Sequence, residues 1–431
     1  MSVHYLPPAP SSPSRRSILR GAIAGAAGLG LGVAAGAPAH AVGTVGSTNA
    51  AAIVAGGRTT PAGNGAQMLH TDRDLAFMAQ KVAVGDGRWA AGWGRLVANR
   101  HSAPGWKARP AAVVYRGTGS PENYMTLAND IHAAYQNALR WRITGDPANG
   151  DCARDILNAW SSTLTRIDGS SDRYLAAGIY GYQFANAAEL MRGYPGFDVD
   201  RFLTMMTTVF YPLSSEFLRD HNGARATHYW ANWDLCSTAN VLAVGILARD
   251  SRKIKEARDY VRHGEGNGSL ENAAPVVLAD GTAPWIEAGR DQAHTLMGIG
   301  ILASICEMAW NQGIDLYGRT GHRFLRAAEY VARYNLGTEV EYPVYTWLTG
   351  PRTSPPQTQV FDRVSPVARG QVRPVWALVE NHYVGRLGRK APAVSQITAQ
   401  CGVEGGGGDY GPNSGGFDAL GFGTLTAVPL A

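Results

Sequence analysis

Charge is scarce in this chain: only 17% of its residues are Asp, Glu, Lys or Arg, against 45% apolar. That balance excludes a disordered or coiled-coil protein and calls for a substantial interior. Cysteine is scarcer still. Cys152, Cys236, Cys306 and Cys401 stand far apart without a CxxC pair, so a zinc site is not expected and no disulfide pairing is dictated. The first three fall in apolar helical patterns and read as small buried hydrophobes. None of the histidines forms an HxH or HxxxH pair, so no metal or other cofactor is expected in the chemistry.

After residue 37 no segment is expected to be apolar enough to span a bilayer. The run before it has another explanation. Ser14 to Arg20 reads SRRSILR, a twin-arginine pattern followed by a Gly/Ala/Leu stretch and the small-residue site Ala39, His40, Ala41. Residues 1–41 are therefore expected to be a removable export signal, residues 42–64 a Gly/Ala/Thr-rich arm, and residues 65–431 the folded domain of a secreted or extracytoplasmic protein. Loss of Arg15, Arg16 and Arg20 lowers the net charge from +5 to +2. A chain so near neutrality needs neither nucleic acid nor a membrane surface as partner, and a monomer is expected.

Strand signals are also few, confined to a weak alternation over Glu339–Leu348. Helical spacing dominates instead. It predicts helices over His70–Asn99, Glu122–Arg142, Asp151–Ile167, Leu175–Arg192, Asp198–Leu218, His228–Arg249, Arg252–Val261, Trp285–Tyr317, His322–Tyr334 and Gln371–Leu387. The tail from Glu404 to Leu425 is dense in glycine but has no phosphate-loop lysine, which rejects a nucleotide site. The expected fold is all-α, an (α/α) toroid of helical hairpins with a short irregular or β-containing C-terminal segment.

Chemistry concentrates at two helix beginnings. In WIEAGRDQAHT, Glu287, Arg290, Asp291 and His294 fall at i, i+3, i+4 and i+7, so one helix would project all four from one face, ahead of a long apolar run. A helix-end ion pair explains any one of them, but the apolar run behind implies burial of the group. In HYWANWDLC, His228 and Asn232 are i, i+4, and Tyr229 and Trp233 form the adjacent stripe. His228 alone suits a cap or core position, whereas Asn232 inside a helix needs a reason. Gln183 and Asn186 interrupt an otherwise apolar helix and need partners if buried. His382 and Tyr383 are a further pair, equally readable as a helix-end aromatic cluster.

The strings WIEAGRDQAHT, AWNQGIDLY, HYWANWDLC and NHYVGR, with the glycine-dense ending, resemble the alginate lyase domain family of polysaccharide lyases over roughly His70 to Thr424. The resemblance implies an α/α toroid that cleaves a polyuronate by β-elimination. Where well-known alginate lyases carry an Asn-His pair ahead of a Tyr-Trp step, this chain has Ala226 and Thr227, with His228 and Asn232 nearby. Elimination beside a uronate carboxylate needs a neutraliser, a base for the C5 proton and an acid for the departing O4. Asn232, Arg290 and Gln292 are candidate neutralisers; His294, His228 and Tyr229 are candidate bases, with tyrosine also able to serve as acid. Trp233, Glu287, Gln183, Asn186, His382 and Tyr383 are candidate contacts for an acidic polysaccharide, alginate or glucuronan-like. Two other readings stay open: a toroid glycosidase using Glu287 and Asp291, disfavoured by their spacing on one helix, and a non-catalytic glycan binder stacking sugars on Trp89, Trp230, Trp233 and Trp285.

Overall fold

Thr71 opens the first helix, α1 (Asp72–Ala83), through a capping box: its hydroxyl accepts from the Asp74 N–H at 3.2 Å while the Asp74 carboxylate accepts from the Thr71 N–H at 2.8 Å. The single helix expected over His70–Asn99 breaks at Gly85, whose φ of +68° ends α1, and resumes as α2 (Gly87–Ala98). The computed structural model describes residues 67–119, 122–411 and 417–429, so the expected export signal and arm lie outside the described residues.

The chain continues through α3 (Tyr124–Thr144), α4 (Pro147–Thr163), α5 (Asp172–Leu190), α6 (Val199–Met205), α7 (Tyr211–Asp220), α8 (Ala231–Leu247) and α9 (Ser251–His263). It ends with α10 (Gln292–Trp310), α11 (Arg319–Asn335), α12 (Trp376–Glu380) and α13 (Pro392–Cys401). Strands β1 (Val113–Arg116) and β2 (Arg166–Gly169) form a short parallel pair, and β3 (Tyr345–Thr349) and β4 (Gln357–Phe361) an antiparallel one. Three expected spans are corrected. The strand over Glu339–Leu348 is confined to β3, beyond Pro343, which supplies no N–H to a ladder. The helix over Gln371–Leu387 begins only after Pro374 and finishes as a π turn, Asn381–Arg386. The helix over Asp151–Ile167 starts earlier, with Pro147 in its first turn under an Asp146 cap, and Arg166 and Ile167 belong to β2.

Helices α3, α5, α8 and α10 pack side by side as the inner wall, and α4, α6–α7, α9 and α11 return outside it. Sequence explains the division. Sixteen residues of α8 are buried on every face, whereas in α9 only Ala257 and Val261 are. Helix α10 has the length and apolarity of a membrane span, yet 89% of its apolar window is buried inside the protein.

Inner helices meet at glycine: a Cβ on Gly178 would lie 2.5 Å from Cys236 Sγ, and one on Gly181 2.2 Å from Asn240 Oδ1. Contacts stepping forward together along both helices make α5 and α8 parallel, and the hairpin alternation puts the N-terminal ends of all four inner helices at one end. The C-terminal segment closes the ring. Its last turn, Gly423–Thr426, packs on α12 and on α1 and α2, while the Tyr182 hydroxyl donates to the Asp418 carbonyl at 3.0 Å. The fold is an all-α toroid of helical hairpins.

Candidate active site

Polar groups converge at the N-terminal end of α10, by a route different from the expected one. Glu287 and Arg290 are not helical: Ile286–Gly289 is a single 3₁₀ turn, and α10 begins only at Gln292, capped by Asp291, whose carboxylate accepts from the His294 N–H at 2.7 Å. The turn folds back and still gathers the four. Arg290 lies 3.3 Å from Glu287 Oε1, 3.5 Å from Asp291 Oδ2, and 3.2 Å from His294 Nε2. His294 Nδ1 lies 2.7 Å from Asp291 Oδ2.

Asn232, on the first turn of α8, joins them by donating to Glu287 Oε1 at 3.0 Å. Asn232 Oδ1 and Glu287 Oε2 make no hydrogen bond although both are buried. Burial in this apolar end pushes the Glu287 carboxyl up to about 7, against the pull of Arg290 and His294. Asp291 goes the other way: burial raises it, but the hydrogen bond and charge of His294, the backbone N–H and Arg290 together hold it below the ordinary carboxylate range. An ionised Asp291 holds a proton on His294 Nδ1, so neutral His294 presents its Nε2 lone pair to Arg290. Side-chain exposures of 30% for Arg290 and 29% for His294 open this wall to solvent.

His228 and Asn232 do not share a helix, because α8 starts at Ala231. Instead His228 clamps the β3–β4 hairpin: the Gly350 N–H donates to its Nδ1 at 2.8 Å, and burial lowers its pKa. A ring whose Nδ1 accepts this bond carries its proton on Nε2, so His228 serves as a donor and not as a base in this arrangement. The Thr227 hydroxyl donates to the Leu348 carbonyl at 2.8 Å and the Trp347 indole to the Thr227 carbonyl at 2.9 Å. The clamped hairpin brings Trp347 onto Trp230, ring centroids 4.4 Å apart, and the Arg290 guanidinium sits 5.5 Å from the Trp230 ring. Tyr345, 6.1 Å from Trp230, is bonded to Asn267 at 3.3 Å; burial first and the Glu287 charge second push its hydroxyl up to about 12. Tyr345 and Trp347 were missed in the helical reading, and their signal was one residue type deep: aromatic rings at i, i+2 of the only alternating stretch.

The remaining sequence candidates sit elsewhere or face inward. Tyr229 is buried among Phe217, His228 and Trp233, and its hydroxyl accepts from Asn222 at 3.1 Å. Gln292 is fully buried and bonded to the carbonyls of Ala288 and Ser365 and to Asn335. Gln183 holds His132 and the Phe417 carbonyl, and Asn186 accepts from the Leu69 N–H. His382 stacks on Tyr317 at 3.6 Å, and the Tyr383 hydroxyl donates to the Tyr317 carbonyl. Among the tryptophans, Trp285 is buried against Gly298 and Trp89 packs edge-on against Phe77. Cys152, Cys236 and Cys306 are buried thiols. Among the described residues, no three His, Cys, Asp or Glu side chains converge as metal ligands.

The toroid groups an acid, an imidazole and a guanidinium at the N-terminal end of an inner helix, and the family that its sequence matches is one of polysaccharide lyases. The sequence matches the alginate lyase family over residues 98–341, more than half of the chain, and the protein belongs to that family. Its fold is similar to the crystal structure of alginate lyase A1-III from Sphingomonas species A1, with a TM-score of 0.53 at 15% identity, covering 85% of this chain and 96% of that one. A histidine-to-alanine form of alginate lyase A1-III complexed with tetrasaccharide gives 0.54 at 15% identity over the same shares. At such identity the likeness concerns the fold alone. No curated protein matches the chain.

Proposed function

We propose that this polysaccharide lyase cleaves a uronic-acid polymer, alginate or glucuronan-like, by β-elimination at the wall formed by Asn232, Glu287, Arg290, Asp291 and His294. One observation carries the reading: Arg290 is divided among three partners at 3.2–3.5 Å, none of them a tight bond. A uronate carboxylate arriving as a better, bidentate partner draws the guanidinium away from His294 and so uncovers Nε2. Binding the carboxylate and freeing the base are then one event.

In the reaction Arg290, the Asn232 amide and the proton-holding Glu287 stabilise the charge that builds on the carboxylate as C5 loses its proton. His294 Nε2 takes that proton, with Asp291 holding the ring and offsetting the imidazolium charge. The C5 electron pair forms the C4–C5 double bond, the C4–O4 bond breaks, and the imidazolium returns the proton to O4. That the alginate lyase structure named above was obtained with a tetrasaccharide supports a chain of several sugars as ligand.

The test is absorbance of the conjugated unsaturated uronate in the ultraviolet, screened over alginate, glucuronan and a neutral glucan. A rise with at least one polyuronate is expected. Reducing ends appearing without absorbance would make the protein a hydrolase, and binding without either would make it a glycan-binding protein. We also propose twin-arginine export from the pattern around Arg15 and Arg16, to be checked by replacing both with Lys; continued export of that form would overturn it.

A further inference from the structure

A second polar groove runs along α11 from Gly321 to Arg333, between the loop at Asp280–Thr282 and the segment entering α13. Its volume is about 290 Å³. Four permanent cations line it, Arg326, Arg333, Arg389 and Lys390, facing two carboxylates, Asp280 and Glu329. Both carboxylates already have partners. Asp280 pairs with Arg333 at 2.8 Å, and Glu329 accepts from the N–H groups of Ala393 and Val394 at the head of α13.

Arg326 is fixed without being neutralised, since it donates to the carbonyls of Gly281 at 2.7 Å and Gly321 at 3.1 Å. Arg389 and Lys390 are exposed, and among the described residues neither forms an ion pair. Four cations stand against two carboxylates, so in a chain this poor in charge the groove keeps an excess of two positive charges. The groove nears the wall at its Arg333 end, since Asn335 donates to Gln292 at 3.0 Å, but its Arg389 end is distant: His322 faces the Tyr383 ring, the Tyr383 hydroxyl donates to the Tyr317 carbonyl, and the Tyr317 hydroxyl donates to the Ala303 carbonyl in the C-terminal half of α10.

We propose that this groove binds the acidic polysaccharide chain, its Arg389 end at a point remote from the bond being cleaved. The inference rests on the polyuronate reading, in which every sugar of the polymer carries a carboxylate, so one chain can meet wall and groove together. A second attachment raises the local concentration of polymer at the wall without any new contact to the reacting sugar.

The experiment uses the full chain and its Arg389→Glu/Lys390→Glu form, with Lys107→Glu/Arg109→Glu in the loop before β1, exposed cations that form no ion pair among the described residues, as a control of equal charge change. Retention in gels containing alginate reads binding; initial rates on polymeric alginate and on an alginate tetrasaccharide read catalysis. For the groove variant we expect polymer affinity to fall about tenfold and KM for polymer to rise about as much. Rates on tetrasaccharide and the melting temperature should stay those of the parent, and the control should match the parent throughout. Unchanged polymer affinity, or an equal loss in the control, overturns the groove. Should the parent cleave neither substrate, the alginate reading fails by itself, while retention still reports whether the groove holds the polyanion.

Discussion

The two ends of α10 carry nearly the same side chains and do opposite things. At its C-terminal end Glu307 and Arg386 meet through two short bonds of 2.6 and 2.8 Å, each side chain 3% exposed, with the Tyr317 hydroxyl on the same carboxylate and His382 stacked on that tyrosine. At the N-terminal end Glu287, Arg290 and His294 again group a carboxylate, a guanidinium and an imidazole, with Asp291 in place of the tyrosine, but the arginine is shared at 3.2–3.5 Å and faces solvent. A saturated, sealed ion pair holds a fold together. One with bonding capacity left over and a path to solvent can trade its partner for a substrate.

Breaking the sealed end should give the largest effect. Arg386→Met leaves the Glu307 charge buried and unpaired, at a cost of about 3–5 kcal/mol in stability. Urea unfolding should show it, while turnover per folded molecule stays that of the parent; lost turnover in a stably folded variant would put the C-terminal end into the chemistry. At the open end His294→Gln should lower kcat about a thousandfold, since glutamine still donates a hydrogen bond but cannot take a proton. Binding of polyuronate should persist. Near-normal turnover would make His294 a carboxylate holder and move the base elsewhere.

Glu287 sharpens the comparison through pH. Its carboxyl is raised from 4.5 to about 7, so between those values the folded protein keeps a proton that the unfolded chain has lost, and stability declines as pH rises through the window. Glu287→Gln should remove that decline, gaining about 3 kcal/mol over the parent above pH 7 and nothing below pH 4.5. Parallel pH–stability curves for the two proteins would contradict it. Arg290→Lys should cost about a hundredfold in kcat/KM with an unchanged melting temperature, because an ammonium cannot form the planar fork. If the protein melts earlier instead, Arg290 belongs with Arg386 as a structural cation.

Much of the architecture was legible because helical periodicity is a local property. The inner helices α5, α8 and α10 announce themselves as apolar all round, and α9 as one-sided, so a toroid of hairpins follows from spacing and short connections. The site was legible as a set of residues and not as a geometry. Glu287, Arg290, Asp291 and His294 do converge, but a 3₁₀ turn and the Asp291 cap bring them together, since Asp at a helix start accepts backbone N–H groups more readily than it continues the helix.

Sequence determined by itself which side chains can do proton chemistry and which helices are buried. Whether a polar residue is used or merely satisfied was decided only in three dimensions. Gln183, Asn186, Gln292, His382 and Tyr383 look as capable in sequence as Asn232 and His294, yet their hydrogen bonds and ring stacking go to residues up to 234 positions away, such as the Phe417 carbonyl on Gln183. The β3–β4 hairpin, which lays Trp347 on Trp230 through a bond from Gly350 to His228 122 positions earlier, is equally invisible to local pattern. Leftover bonding capacity belongs to the assembled surroundings of a residue, and only the closed toroid fixes those surroundings.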